Sequence, residues 1–233
     1  MKKLIFVLTG LIIATAINAQ SLEEIVKKYS EANKQDKISA LSTIKITGKM
    51  SMMGMDLPLE MWMKNPNKIK TVTNFNGQEM ISVFDGVKGY SINPMTGSAE
   101  PVEMSADQVK QTQTSNLFNN FMATYLKEGK LTLLGEEKVN DKAAFKIKVS
   151  LDGGNTTDMF IDKVSYLLVK NSTTVSSQGT TVTVDSYPSD YKETNGLLLP
   201  MKTTSSAQGM EFMIIFDKVE VNLPIEDSVF KIK

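Results

Sequence analysis

Over residues 43–93, and again over residues 131–221, apolar and polar side chains alternate with a period of two, and Asn, Asp and Gly fall between the runs. Successive side chains of a strand point to opposite faces, so each run is a strand with one buried and one wet side. Thus Ile44, Ile46, Gly48, Met50 and Met52 share a face, and so do Leu57, Leu59, Met61 and Met63. The pairs Asn76-Gly77 and Asp85-Gly86 are turn chemistry for hairpins, and further turns are expected at residues 94–97, 152–155, 176–179 and 194–196. About ten or eleven strands result at the usual strand length. So many, joined by short turns, make one antiparallel sheet that must curl.

The alternation is broken at two places by helical spacing. Ser21 and Glu24 form a capping box, after which Leu22, Ile25, Val26 and Tyr29 recur on one helix face. In the middle of the chain, residues 105–108 open a weak polar helix. Residues 115–128 read as a better one, with Leu117, Phe118, Phe121, Met122, Tyr125 and Leu126 in a single broad stripe ended by Gly129. A stripe of that width has to be buried, so the inserted helices are expected to roof the curved sheet. The fold class is therefore α+β, mainly antiparallel β: one curved sheet with an N-terminal helix and inserted lid helices.

Residues 1–19 are expected to lie outside that fold. Lys2 and Lys3, an apolar run over residues 4–16, and Ile17-Asn18-Ala19 read as a secretory signal peptide cleaved after Ala19. Residues 20–233 then form one domain, with 24 lysines against 26 acids and no composition shift to divide it. A bacterial periplasm is the expected compartment. The near-neutral charge gives no sign of a nucleic-acid partner.

The chain has no histidine, no cysteine and no arginine. Ser-His-Asp and Cys-His nucleophiles are excluded, as are zinc sites built on imidazole or thiolate and bidentate arginine clamps. A carboxylate pair or a Ser-Lys pair would still be possible, yet no spacing singles one out. No enzyme activity, cofactor or resident metal is expected.

Against that background the methionines of residues 48–67 stand out. The stripe Met50, Met52, Leu57, Leu59, Met61 and Met63 can be ordinary core, the wall of an apolar cavity, or a source of soft thioether ligands. The last reading makes the chain a Cu(I) or Ag(I) binding protein, since Met50, Met52, Met53 and Met55 crowd into six residues. Trp62 falls on the opposite side of its strand, where packing against the N-terminal helix is expected.

The residues Met61-Trp62-Met63-Lys64-Asn65-Pro66-Asn67, then residues 77–86 through Asp85-Gly86, then Tyr90-Ser91-Ile92-Asn93-Pro94 resemble the periplasmic outer-membrane lipoprotein carriers, the LolA/LolB-like family. The order of elements and the closing Asp227-Ser228-Val229-Phe230 are similar too. The resemblance implies an incomplete β-barrel wrapped round helices, a monomer whose apolar cavity holds the acyl chains of a lipoprotein or lipid. It also implies transient inner- and outer-membrane partner proteins. The wall of that cavity would be Ile44, Ile46, Met50, Met52, Leu57, Leu59, Met61 and Met63, facing Leu117, Phe118, Phe121, Met122 and Tyr125. The family pattern has arginine before Pro-Asn, where this chain has Asn65, so a lid latch built on that arginine does not carry over.

Overall fold

The structure, a computed structural model, describes residues 20–94, 98–114, 116–151, 154–177 and 180–232. The expected leader lies outside the described residues, as do Ser115 and parts of three expected turns, at residues 95–97, 152–153 and 178–179.

The chain begins with α1 (Leu22–Ala32), whose Ser21 hydroxyl accepts from the Glu24 amide at 3.2 Å, and a short α2 (Gln35–Ser39). Six strands follow: β1 (Thr43–Met52), β2 (Met55–Lys64), β3 (Lys68–Phe75), β4 (Gln78–Phe84), β5 (Gly89–Asn93) and β6 (Ser98–Glu103). Next come α3 (Ala106–Thr114) and α4 (Phe121–Lys127), then β7 (Leu131–Val139), β8 (Lys142–Ser150), β9 (Thr156–Asp162), β10 (Leu168–Ser177), β11 (Thr180–Thr194), β12 (Leu197–Ala207) and β13 (Met210–Val221). A 3₁₀ turn, Asp227–Phe230, closes the chain.

All the strands join one antiparallel sheet in the order β6-β5-β4-β3-β2-β1-β13-β12-β11-β10-β9-β8-β7. Among the described residues, the only neighbouring strands not consecutive in sequence are β1 and β13. One meander therefore runs outward from the centre to the edge β6, and another returns from the edge β7 to the centre. The chain leaves at one edge and re-enters at the other, so α3 and α4 must cross one face of the sheet on the way. That face, here called the inner face, is the one α1 and α2 also cover. The sheet is curved and unclosed, with Pro101 in one edge strand and a bulge at Gly135 in the other, both features that blunt an exposed edge.

The thirteen strands of the described residues exceed the expected number. Ser-Ala-Glu-Pro-Val-Glu has no alternation to reveal β6, and β11 and β12 extend to the Asn195-Gly196 turn because they pair with each other over that whole length. A bulge between Thr47 and Gly48 tightens the central pair, and a Cβ at Gly48 would lie 2.0 Å from the Ile215 carbonyl oxygen, so only glycine fits.

The second inserted helix is shorter than its stripe suggested. Asn120 caps α4 by accepting from the Ala123 amide at 3.2 Å, and Asn116 holds a turn ahead of it by accepting from the Phe118 amide at 3.0 Å. Local asparagine hydrogen bonds compete with helix here, and Leu117 and Phe118 fall in the turn before α4.

Candidate functional site

The register places the expected wall residues on the inner face. Ile44 lies opposite Met63, Ile46 opposite Met61, Gly48 opposite Leu59, Met50 opposite Leu57 and Met52 opposite Met55. On the other flank of β1, Val221, Val219, Phe216, Ile214 and Phe212 continue the same face from β13. Sequence reasoning left out these β13 residues, although their alternation was visible. They could be joined to β1 only by knowing that the last strand returns to the first.

Two apolar clusters fill the roofed part of this face. In one, Ile44, Ile46, Met63, Ile69 and Phe84 pack with Leu197, Leu199, Met201 and Val219 beneath Ile38 of α2 and Phe118, with Leu117 and Met61 partly buried beside them. In the other, Ile25 and Val26 of α1 and Met122 of α4 pack on Phe145, Ile147, Val149, Met159 and Ile161, with Phe121 and Tyr125 at the margin. The single stripe expected over residues 117–126 is thus divided, Leu117 and Phe118 going to the first cluster and Phe121, Met122 and Tyr125 to the second. The break in the helix at Asn116 to Asn120 sends the two sets in different directions.

Ile44, Ile46 and Met63 are 1% exposed or less, and Leu57 and Leu59 are buried as well. Around Leu57, which lies directly opposite Met50, the side chains of Met50, Met52, Phe212 and Ile214 are only half-buried. At the hairpin tips Met53 and Met210 are 71% and 52% exposed. The inner face is therefore roofed at one end and open at the other, an apolar trough running out to a methionine rim.

The roof is tied down by asparagine. Asn65 Nδ2 donates to the carbonyls of Ser39 at 3.1 Å and Leu41 at 2.9 Å, where α2 meets β1. Asn116 Nδ2 donates to the Pro66 carbonyl at 3.3 Å. Residues 65 and 66 accordingly hold both the end of α2 and the link before α4, at the position where the family pattern carries arginine.

Two phenols lie under the roof. Burial pushes the Tyr29 hydroxyl up to about 12. Burial raises Tyr191 as well, and its Oη donates to the Leu168 carbonyl at 2.9 Å.

Trp62 does not meet the N-terminal helix. It lies on the outer face between Lys45 and Lys70, whose ammonium groups sit 5.3 and 5.9 Å from its ring, because α1 spends its apolar side on β8 and β9 across the sheet. Trp62, Ile81, Ile92 and Val229 line an outer groove of about 650 Å³ under the closing turn. That turn is anchored by Phe230, 1% exposed, and by Asp227, which the Lys64 and Lys68 ammonium groups hold down to about 2. A smaller polar cleft of about 240 Å³ lies where α1, α2 and Asn120 meet. None of the expected wall residues lines either of these two spaces.

Among the described residues no three His, Cys, Asp or Glu side chains converge as a metal site. Met52 and Met55 face each other across the hairpin, whereas Met53 sits in the turn at φ 53° and points away into solvent.

No protein-family model matches the sequence, nor does any curated protein. Solved structures do match. A LolA superfamily protein from Nitrosomonas europaea superposes with a TM-score of 0.60 at 11% identity, over 91% of this chain and 98% of that one. The chain shares the LolA fold. A domain assigned to outer membrane lipoprotein sorting from Vibrio parahaemolyticus gives 0.60 at 12% identity, over 90% and 97%. A DUF1329 family protein from Desulfovibrio piger gives 0.60 at 11%, over 89% and 97%. The LolA-like resemblance read from residues 57–94 thus holds at the level of the whole fold. None of these three supports the Cu(I) or Ag(I) reading.

Proposed function

We propose that the chain is a periplasmic, non-enzymatic carrier that binds the acyl chains of a lipoprotein or lipid in the inner-face trough and passes them towards the outer membrane. The observation that carries this reading is the half-roofed inner face. Strands that bury Ile44, Ile46 and Met63 completely continue into Met50, Met52, Phe212 and Ile214, which remain half-exposed on the same side. An acyl chain laid there completes the burial, at roughly 0.8 kcal/mol per CH₂ removed from water. Unbranched thioether side chains adapt to chains of differing length and bend.

In this reading the roofing residues Leu117, Phe118, Phe121, Met122 and Tyr125 hold the closed end, and acyl chains enter over the methionine rim. The protein acts as a monomer, takes its cargo from one membrane partner and surrenders it to another. Residues 1–19 export it. The carrier fold of a LolA superfamily protein supports the assignment in kind, and the lack of His, Cys and Arg favours holding over chemistry.

The test is native mass spectrometry of protein purified from a periplasmic extract, together with displacement of a bound hydrophobic fluorophore by oleate. Co-purified lipid and full displacement are expected, with affinity at least tenfold weaker in Ile214→Asp. A protein that carries no lipid and binds no fluorophore overturns the reading.

A further inference from the structure

On strands β3 to β5 the alternation is inverted. The inner face carries Thr71, Ser82 and Ser91, each opposite the next, while the outer face carries Val72, Ile81 and Ile92 in the same register. The outer row beside it is Trp62, Lys70, Val83 and Tyr90, again opposite one another. A sheet face that met only water would be polar. This one needs a cover, and the closing turn supplies part of it. That turn packs on β3, Phe230 is buried, and Val83 on the outer face is 1% exposed.

The cover stops short of the neighbouring row. Between turn and sheet, the groove of about 650 Å³ has Trp62, Ile81 and Ile92 as its floor and Val229 and Ile232 as its wall, all five only half-buried. Small-molecule sites measure roughly 300–1,000 Å³ and combine an apolar lining with a few polar groups that fix orientation. The polar side chains here are Lys70, Lys231 and Glu79, with Ser228 beside them. Nearby lysines are matched by carboxylates, Lys45 by Glu60 at 3.2 Å, and Lys64 and Lys68 by Asp227 at 2.7 and 2.8 Å. Lys70 and Lys231 have no such carboxylate among the described residues, and Lys70 holds its ammonium group over the Trp62 ring. Glu79 stands apart from them. Lys70 lies opposite Val83, and from Val83 to Glu79 the chain runs about 13 Å along β4 at the usual strand rise.

We propose that this outer groove binds a small amphiphilic monocarboxylate, its apolar body on Trp62, Ile81 and Ile92 and its carboxylate between the Lys70 and Lys231 ammonium groups. The body covers apolar surface that the closing turn leaves wet, and the carboxylate matches the two lysines that lack a partner. Glu79 at the far end opposes a second negative charge, which makes the ligand a monoanion. The groove and the trough lie on opposite faces of the sheet, so this site is filled or empty independently of any cargo.

Trp62 is the only tryptophan of the chain, so its emission reports on the groove directly. The full mature chain is titrated with 4-phenylbutyrate and with 4-phenylbutyramide, which has the same shape and no charge. A saturable change in emission is expected with both, about fivefold tighter for the acid, the size of one partly screened ion pair. The difference should shrink as salt is raised. Lys70→Gln with Lys231→Gln is expected to bind acid and amide alike, at the wild-type affinity for the amide. Ile214→Asp, on the inner face, is expected to leave the titration unchanged. Emission that responds to neither compound, or equal wild-type affinities for acid and amide, overturns the proposal. A preference for the acid that persists in the double lysine variant overturns the assignment to these lysines. A response lost in Ile214→Asp would place the bound compound in the inner trough and overturn the outer site.

Discussion

The roofed and open ends of the inner face are made by the same strands with the same alternation, yet they differ in what covers them. At the roofed end Ile44, Met63 and Phe84 are sealed beneath Ile38 and Phe118; at the open end Met50, Met52, Phe212 and Ile214 keep part of their surface in water. A period-two pattern says which face a residue takes. How far a roof reaches along that face depends on a few short helices whose positions are set elsewhere. The comparison separates residues that maintain the fold from residues free to hold a ligand, and each expected result below bears on it.

The largest effect should be at the roofed end. Phe84→Ala is expected to cost about 3–5 kcal/mol in denaturant unfolding, the usual range for a buried aromatic. Met52→Ala, at the open end, should cost less than about 1 kcal/mol while weakening oleate binding severalfold. Similar stability losses in the two variants would mean that the open end is core after all, and the distinction would collapse.

Next in size is the tether of the roof. Asn65→Ala removes two hydrogen bonds to the end of α2, and about 1–3 kcal/mol of destabilisation is expected. Amide exchange should accelerate in α2 and around Phe118, with strands β8 and β9 unaffected. Uniform acceleration throughout the sheet would show that Asn65 supports the whole fold and not the roof.

Two titrations give smaller effects at opposite ends of the pH scale. Tyr29 is raised from 10 to about 12 by burial, so the folded protein keeps a proton that the unfolded chain gives up. Its contribution is complete below pH 10 and is lost as pH rises towards 12, and Tyr29→Phe should flatten that alkaline decline. A decline unchanged in Tyr29→Phe would place the phenol outside the closed end. Asp227 is lowered from 3.8 to about 2 by Lys64 and Lys68. Its contribution is present above pH 4 and lost as pH falls towards 2. Asp227→Asn should remove only that acid-side slope, leaving fluorophore binding untouched, because the tether lies on the outer face.

Much of the architecture was legible in the residues. The alternation of Ile44 to Met52 and Leu57 to Met63, the Asn76-Gly77 and Asp85-Gly86 turns and the Ser21 cap all lie where local rules put them, because each depends only on near neighbours. Asp85 Oδ1 accepts from the Val87 and Lys88 amides, both at 2.8 Å, which is what an Asp-Gly turn is for. The inner-face placement of the methionine stripe followed from the same rules. Strand β6 did not, since a Pro-containing edge strand has no buried side to impose alternation. The split of the 117–126 stripe depended on asparagine hydrogen bonds competing with a helix of comparable local energy. Trp62 packs between Lys45 and Lys70 on the outer face and not against α1, because a strand's second face has no partner until the rest of the chain supplies one.

By itself, then, the sequence determined an antiparallel sheet, the face each residue takes and the chemistry this chain cannot perform, since these depend on side-chain alternation, turn residues and the residue types present. Only the tertiary structure decided that β13 returns to β1, bringing Phe212 and Ile214 beside Met50 and Met52. It alone set Ser186 opposite Ser205 and Thr173 opposite Thr157, and left Met50, Met52, Phe212 and Ile214 half-buried. Those facts depend on contacts between residues 164 positions apart, such as Met50 and Ile214, and no local pattern encodes such distances.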